Sequence, residues 1–348
     1  MKTLIRCSVA ALACSLGLAG PLWANQVDDA RKALERGDFA TAAPLVTALA
    51  EQGDANSQSA LGVMYYYGQG VPQDRAQAAK WYRLAAEQGH VSARYFLGLM
   101  YESGTGVARD YAEAMKWYRL AADQGKAEAQ NNVGAMYLHK RGVDRDAVEA
   151  SRWFRKAAEQ GLAIAQTNLA DLYAVGHGVP LDETEASKWY RLAAVQGDVK
   201  AQKTLGNLYF NGAGVPQDYA EAGKWYRLAA DQGDMIAQWY VANLYENGQG
   251  VAQDFATAGE WYRKSAMQGY APAQNLLGDL YSAGQGVPKD DVLAYMWYSL
   301  AATDRILVEA GFVASRKRDG LAAKMTPEQI AKAQKLVSEW KPVAAPSN

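Results

Sequence analysis

The chain has 348 residues, a formal net charge of −1, and basic and acidic residues that alternate along its length. A protein that binds nucleic acid usually carries a clear basic excess on one face, so this balance argues against that class. The densest basic run, residues 316–318, stands beside Asp319 and is typical of a solvated helix face.

Residues 1–24 predict a cleavable secretory signal. Lys2 and Arg6 precede an apolar, small-residue stretch, and polar residues follow directly after Ala24. A membrane anchor fits less well, because the apolar run is short and is interrupted by two glycines and a proline. We expect cleavage after Ala24 and export to the periplasm or beyond it.

Both cysteines of the chain, Cys7 and Cys14, lie inside this segment. The mature chain would therefore contain no cysteine, and we expect neither disulfides nor thiol catalysis in it. Loss of Lys2 and Arg6 with the signal would change the formal charge from −1 to −3.

Seven tryptophans stand 36 residues apart without an insertion or deletion between them. They are Trp81, Trp117, Trp153, Trp189, Trp225, Trp261 and Trp297. A fixed period of this length is typical of a solenoid, in which each unit packs on its neighbours. We expect a capping half-repeat over residues 25–54, seven repeats over 55–306, and a helical cap and tail over 307–348.

Each repeat reads as two helices and two turns. In the fifth repeat Ala201, Leu205 and Leu208 share one helical face, and Ala222 and Trp225 belong to a second. Glycines end the first helix, and an aspartate begins the second. These aspartates are Asp74, Asp110, Asp146, Asp182, Asp218, Asp254 and Asp290. Five of them have Glu or Gln three residues later, which predicts capping boxes.

One place inside the first helix holds only very small side chains. Its occupants are Gly62, Gly98, Gly134, Ala170, Gly206, Ala242 and Gly278. Glycine is costly within a helix, so packing must offset it. We expect two helices to cross there in close contact, while the tryptophan and the aromatic residue after it fill the wider gap between layers.

The pattern A-x-A-Q-x-x-L-G-x-L-Y-x-x-G-x-G-V-x-x-D, then A-x-x-W-Y-R-x-A-A-x-Q-G, resembles the Sel-1-like repeat family, relatives of the tetratricopeptide repeats. The resemblance covers Ala55 to about Ala302. It implies an all-α fold, a right-handed α-solenoid of antiparallel helix pairs that acts as an adaptor for other proteins. It implies no shared chemistry.

Departures from the pattern are local. Lys140 and Phe154 replace a loop glycine and the tyrosine in repeat three. In repeat seven the glycine is absent, so a helix is expected to run through Ile306 to Ala323. Thr326 is then expected to cap a final helix that ends near Trp340.

The fifth, ninth and twelfth places of the first helix vary freely among the repeats and fall on one face, which in a superhelix of this type would be the concave one. We predict a partner-binding stripe there. Its residues are Tyr66, Tyr95, Leu99, Glu102, Asn131, Asp171, Lys203, Asn207, Phe210, Trp239, Asn243, Glu246 and Asp279.

The aromatic members of the stripe suit interface anchors, although they could equally shield the groove. Its Asn and Asp side chains suit a peptide backbone or sugar hydroxyls. Phe96 and Tyr240, one place further along, either extend the stripe or pack between repeats.

No catalytic, metal or cofactor site is expected, because His90, His139 and His177 have no ligand partners at suitable spacing. Residues 338–341 match S-x-x-K but lack the accompanying motifs. The sequence thus predicts an exported, non-enzymatic scaffold for a protein or peptide. The alternative is a carbohydrate or cell-wall binding or processing protein, including a β-lactam-interacting enzyme like the family's cysteine-rich members.

Overall fold

The computed structural model describes residues 21–303 and 308–343, which form α-helices joined by turns, with no strand among them. The helices are Pro21–Glu35, Phe39–Glu51, Ala55–Tyr67, Arg75–Glu87, Val91–Ser103, Tyr111–Ala122, Ala127–His139, Ala147–Glu159, Ala163–Val175, Glu183–Val195, Val199–Asn211, Tyr219–Asp231, Met235–Asn247, Phe255–Met267, Ala271–Ala283, Asp291–Ala301, Val308–Ala322 and Pro327–Glu339. Residues 1–20 of the predicted signal lie outside this description, and the expected cleavage point falls within the first helix.

Two compact units divide the chain. The first contains the residues up to Ala165 with His177–Val179, and the second contains Gln166–Gly176 and the residues from Pro180 onward. Within each unit, short turns join consecutive helices, which pack on one another. In the first unit, core clusters lie between the helices of repeats one and two and between those of repeats two and three.

The aspartate caps are confirmed, but the five capping boxes are wrong. Asp110 accepts hydrogen bonds from the backbone N–H groups of Ala112 and Glu113 at 2.9 and 3.1 Å. Its own backbone N–H donates to the carbonyl of Tyr101 at 2.9 Å, so it is not free to receive the Glu113 side chain. The same backbone bond from aspartate to tyrosine recurs in all seven repeats.

The glutamate at this place instead accepts a hydrogen bond from the tryptophan one turn later. The distances are 3.1 Å from Trp117 to Glu113, 2.9 Å from Trp153 to Glu149, 3.0 Å from Trp189 to Glu185 and 3.2 Å from Trp225 to Glu221. The indole N–H at the edge of the core is thereby satisfied. A complete capping box occurs where Thr326 and Gln329 begin the last helix, as expected.

The small-residue place is confirmed, with a different contact from the one expected. A methyl group on Gly206 would stand 2.5 Å from the Tyr226 ring, and one on Gly98 would stand 2.6 Å from Tyr118. The space is therefore taken by the aromatic ring of the second helix rather than by a crossing backbone. This ring is more deeply buried than the tryptophan before it, since Trp81 and Trp189 are only half-buried.

Lys140 adopts the left-handed backbone conformation that glycine provides at the end of other first helices. Its φ is 55°, and it is the only residue other than glycine with a positive φ within residues 21–303 and 308–343. Repeat three thus forms the same turn as the other repeats although it has lysine in place of the loop glycine. Lys140 pays for this with backbone strain.

Near the C-terminus the helix of repeat seven ends at Ala301, and the next described helix begins at Val308. Residues 304–307, over which a continuous helix was expected, lie outside the described chain. Ala333 of the last helix is fully buried against Val292 and Tyr295.

Buried glutamines join successive repeats, a feature that the sequence analysis did not identify. Gln202 donates to the carbonyl of Ala194 at 3.0 Å and accepts from Gln232 at 2.8 Å, while Gln232 also donates to the carbonyl of Gly197 at 3.2 Å. Equivalent glutamine pairs are 58 and 88, 130 and 160, 166 and 196, and 238 and 268. The recurrence of two glutamines at fixed places in nearly every repeat could have indicated this hydrogen bonding from the sequence alone.

Replacing Gln202 with leucine should lower the unfolding free energy by about 2 kcal/mol, because buried polar partners lose a hydrogen bond without gaining water. Urea unfolding followed by circular dichroism measures the change. Gln217→Leu is the control, since Gln217 is exposed and should cost no more than about 0.5 kcal/mol. Equal losses in both variants would contradict a special role for the buried glutamines.

Candidate functional site

Every predicted binding residue lies on the first helix of its repeat. These side chains are half-buried, except for Asn131, which is buried. In the first unit the structure brings Tyr66, Tyr95 and Leu99 together around one cavity. The remaining predicted binding residues lie on the first helices of repeats two to seven.

The polar members of the stripe accept hydrogen bonds from the buried tyrosines of the second helices. Tyr118 donates to Glu102 at 2.7 Å, Tyr190 to Asp171 at 2.6 Å, Tyr226 to Asn207 at 2.8 Å, Tyr262 to Glu246 at 2.5 Å and Tyr298 to Asp279 at 2.7 Å. A buried hydroxyl needs such a partner. These stripe residues therefore complete the core of each repeat.

Four of the five charged stripe residues, Glu102, Asp171, Lys203 and Asp279, form ion pairs. Asp171 contacts Lys200 at 2.5 Å, and Glu102 contacts Arg141 at 3.2 Å. Lys203 contacts Asp234, the aspartate that begins the next first helix, at 2.8 Å. Little uncompensated charge is left along this face for a ligand.

Burial keeps the hydroxyls of Tyr95 and Tyr118 protonated at neutral pH because it raises the pKa of both groups. Burial raises the pKa of Tyr95 to about 12, and the nearby charges of Glu128 and Glu102 add to the effect. Burial, followed by the hydrogen bond to Glu102, raises the pKa of Tyr118 far above its usual range. These hydroxyls can donate hydrogen bonds, but they are not poised to act as bases or nucleophiles.

An aromatic cavity of about 340 Å³ opens between repeats one and two. Tyr82 and Phe96 stack across it with ring centroids 5.5 Å apart, and Tyr95 lies 5.6 Å from Phe96. Phe96 thus both packs between repeats and extends the stripe. The principal lining residues are Tyr66, Tyr67, Tyr82, Tyr95, Phe96 and Leu99.

In the second unit the aromatic stripe residues pack mainly on other aromatic rings. Trp239 meets Tyr240 edge-on at 4.8 Å, and Tyr240 stacks on Tyr226 at 4.5 Å. The Trp239 indole N–H is buried and finds no acceptor among the residues that the structure describes. Phe210 contacts Tyr219 at 5.1 Å. These rings offer apolar surface on the first-helix face of their repeats.

The histidines have local roles. His90 begins a first helix, where its Nδ1 accepts the backbone N–H of Ala93 at 3.1 Å, and burial lowers its pKa. His177 contacts Arg145 at 3.3 Å. Across residues 21–303 and 308–343, no cluster of His, Cys, Asp and Glu side chains could hold a metal ion. No helix in the same part of the chain has the length and apolar character needed to cross a membrane.

The sequence profile of the Sel1 repeat matches the chain seven times, at residues 55–90, 91–126, 127–162, 163–198, 199–234, 236–270 and 271–304. The Sel1 repeat protein from Oxalobacter formigenes is 31% identical over 69% of this chain and 96% of that chain, with a TM-score of 0.62. The c5321 protein, a protective antigen of uropathogenic Escherichia coli with an SLR fold, is 28% identical over 93% of this chain and 94% of that chain, with a TM-score of 0.55. The comparison with curated proteins finds no match.

Proposed function

Because the chain belongs to the Sel1 repeat family, we propose that it is an exported, non-enzymatic scaffold that binds a protein or peptide partner on the first-helix face of its repeats. The periplasm is the proposed location, and a regulatory, assembly or host-interaction role is the proposed use. Solenoids of this kind bind through extended surfaces built from many repeats.

The aromatic cavity of the first unit is the observation that carries this proposal. Clustered aromatic side chains in a concave site are typical of the anchors that dominate binding energy at protein interfaces. The cavity lies on the stripe whose residues vary among the repeats. Two of its rings, Tyr66 and Tyr95, stand at stripe places that most other repeats fill with non-aromatic residues.

The hydrogen bonds of the polar stripe favour a protein partner over a glycan. The carbohydrate alternative depended on Asn and Asp side chains that could receive sugar hydroxyls. Buried tyrosines already donate hydrogen bonds to Asp171, Asn207 and Asp279. The half-buried apolar side chains of the stripe suit the side chains of a protein better than they suit a sugar.

Export is supported by residues 1–24 and by the similar Escherichia coli protein, which is described as a protective antigen. Fractionation of cells that express the full chain should recover it outside the cytoplasm. N-terminal sequencing should then begin at Asn25. Recovery of an uncut chain in the cytoplasm would contradict export while leaving the binding role open.

Site-specific photocrosslinking in the native host tests the binding role. A benzophenone amino acid at Tyr66 or Phe210 should capture a defined partner, because both side chains lie on the proposed face. The control is the same probe at Leu192 or Leu228, which are exposed on second helices. Identical captured proteins at both sets of positions, or none at either, would contradict the proposal.

A further inference from the structure

Tyr82 differs from the tyrosines at the same place in other repeats, because its hydroxyl makes no hydrogen bond with the described part of the chain. The hydroxyls of Tyr118, Tyr190, Tyr226, Tyr262 and Tyr298 each donate to a stripe side chain. Tyr82 is only 2% exposed. A tyrosine as deeply buried as this one usually has a protein partner for its hydroxyl, so the missing bond requires an explanation.

The missing bond has a cause in the sequence. The acceptor comes from the ninth or the twelfth place of the first helix, and in repeat one these places hold Val63 and Tyr66. Neither offers a carboxylate or an amide. Repeat one has therefore kept the tyrosine hydroxyl although these two places of its first helix provide no carboxylate or amide acceptor.

Repeat three shows the opposite solution. Its ninth and twelfth places hold Ala135 and Leu138, and phenylalanine, Phe154, replaces the tyrosine. Phe154 is 1% exposed and makes the same contact with the helical glycine of its repeat. Packing alone is thus satisfied by a ring without a hydroxyl, so packing does not account for the hydroxyl of Tyr82.

Tyr82 lines the aromatic cavity, which places its unpaired hydroxyl beside space that a ligand can enter. Four of the five acceptors in the other repeats are carboxylates, namely Glu102, Asp171, Glu246 and Asp279. The fifth acceptor is the amide oxygen of Asn207. A tyrosine hydroxyl at this place in the repeat therefore pairs most often with a carboxylate oxygen.

The charges around the cavity also favour an anionic group. Arg75 is exposed, lies 5.7 Å from the centre of the Tyr66 ring and forms no ion pair with the described residues. Lys126 lies 5.4 Å from the Tyr95 ring, although Glu128 pairs with it at 3.0 Å. The nearest acidic stripe residue, Glu102, is already engaged by Tyr118 and Arg141.

We propose that this cavity binds an acidic side chain of the partner protein, whose carboxylate accepts the Tyr82 hydroxyl hydrogen bond while an adjacent apolar side chain packs on the aromatic rings. The partner then supplies the acceptor that Glu102 or Asp171 supplies within the chain. This inference rests on the proposed binding function and specifies the chemistry of its ligand.

Selection of random peptides displayed on phage tests the inference without knowledge of the natural partner. Peptides enriched on the unmodified protein should carry Asp or Glu next to a large apolar residue. A selected peptide, synthesised and measured by fluorescence anisotropy, should bind Tyr82→Phe about tenfold more weakly, because one hydrogen bond to a charged group is lost. Thermal unfolding of Tyr82→Phe should stay unchanged.

Two further variants separate ligand binding from folding. Val63→Asp places an internal carboxylate where Asp171 stands in repeat four, so it should weaken peptide binding and raise the thermal midpoint. Tyr226→Phe loses its bond to Asn207 in the second unit, so it should lower the midpoint and leave peptide binding unchanged. If Val63→Asp fails to fold, Tyr82→Phe still decides the question.

Enrichment of Lys or Arg would overturn the proposal, since the rings would then act as a cage for a cation. Equal peptide affinity of Tyr82→Phe and the unmodified protein, or no enriched peptide at all, would overturn it as well. A natural partner that crosslinks to the Tyr82→Phe variant in the native host as strongly as to the unmodified protein would preserve the scaffold function while rejecting this ligand. The two proposals therefore fail by different results.

Discussion

Trp153→Ala is expected to lower the unfolding free energy by about 3–5 kcal/mol, because removal of a buried aromatic ring leaves a cavity that its neighbours only partly fill. Trp153 is 3% exposed, donates to Glu149 at 2.9 Å and lies beneath Lys156 at 4.1 Å. Alanine removes all of these contacts together. Urea unfolding monitored by circular dichroism measures the loss, and hydrogen exchange should locate it in repeats two and three, whose core contains Trp153.

Trp189→Ala is the matched control, because Trp189 has the same place in the repeat and the same glutamate bond but is only half-buried. Its expected cost is correspondingly smaller, about 2 kcal/mol. Equal costs for the two variants would show that burial is not what distinguishes these tryptophans.

Gly206→Val is expected to destabilise the protein by about 3 kcal/mol through overpacking. A Cβ atom at this position would stand 2.5 Å from the Tyr226 ring, which is itself fully buried. Repeats four and six accept alanine, as Ala170 and Ala242, so a single methyl can be accommodated with small shifts. The two further methyls of valine leave no such room, and differential scanning calorimetry should record a lower midpoint.

Gly320→Val provides the comparison for this substitution. Gly320 also lies within a helix, but no atom stands within 4 Å of the position its Cβ would take. Valine is a better helix former than glycine, so a neutral or slightly positive effect is expected. Similar losses at both sites would mean that helix propensity rather than the Tyr226 contact limits the position.

The repeat frame and its local chemistry could be predicted from the sequence because they depend on neighbours along one chain segment. The aspartate caps, the left-handed turns and the small residue in each first helix are of this kind. Capping boxes failed because the backbone N–H of Asp110 and its equivalents is taken by a tyrosine carbonyl nine residues earlier. A pattern of three residues does not reveal that competitor.

The polar stripe shows the limit of comparing repeats with one another. The ninth and twelfth places vary, which suggested that packing leaves them free. In the structure they share one task, since the tyrosine hydroxyl is met by Asp171 from the ninth place or by the longer Glu102 from the twelfth. The ninth place can vary where the twelfth provides the acceptor, and the twelfth can vary where the ninth provides it. The acceptor lies 16 or 19 residues from its tyrosine in the sequence, so a comparison of aligned places does not reveal this substitution.

The buried glutamines have a consequence for how the array comes apart. Gln202 and Gln232 belong to one repeat but donate to the carbonyls of Ala194 and Gly197 at the end of the repeat before it. The pairs 58 and 88, and 238 and 268, make the equivalent bonds. Melting one repeat therefore leaves unpaired amides and carbonyls in the next, where they lack water. Within each unit this penalty discourages fraying at internal positions and makes neighbouring repeats melt together.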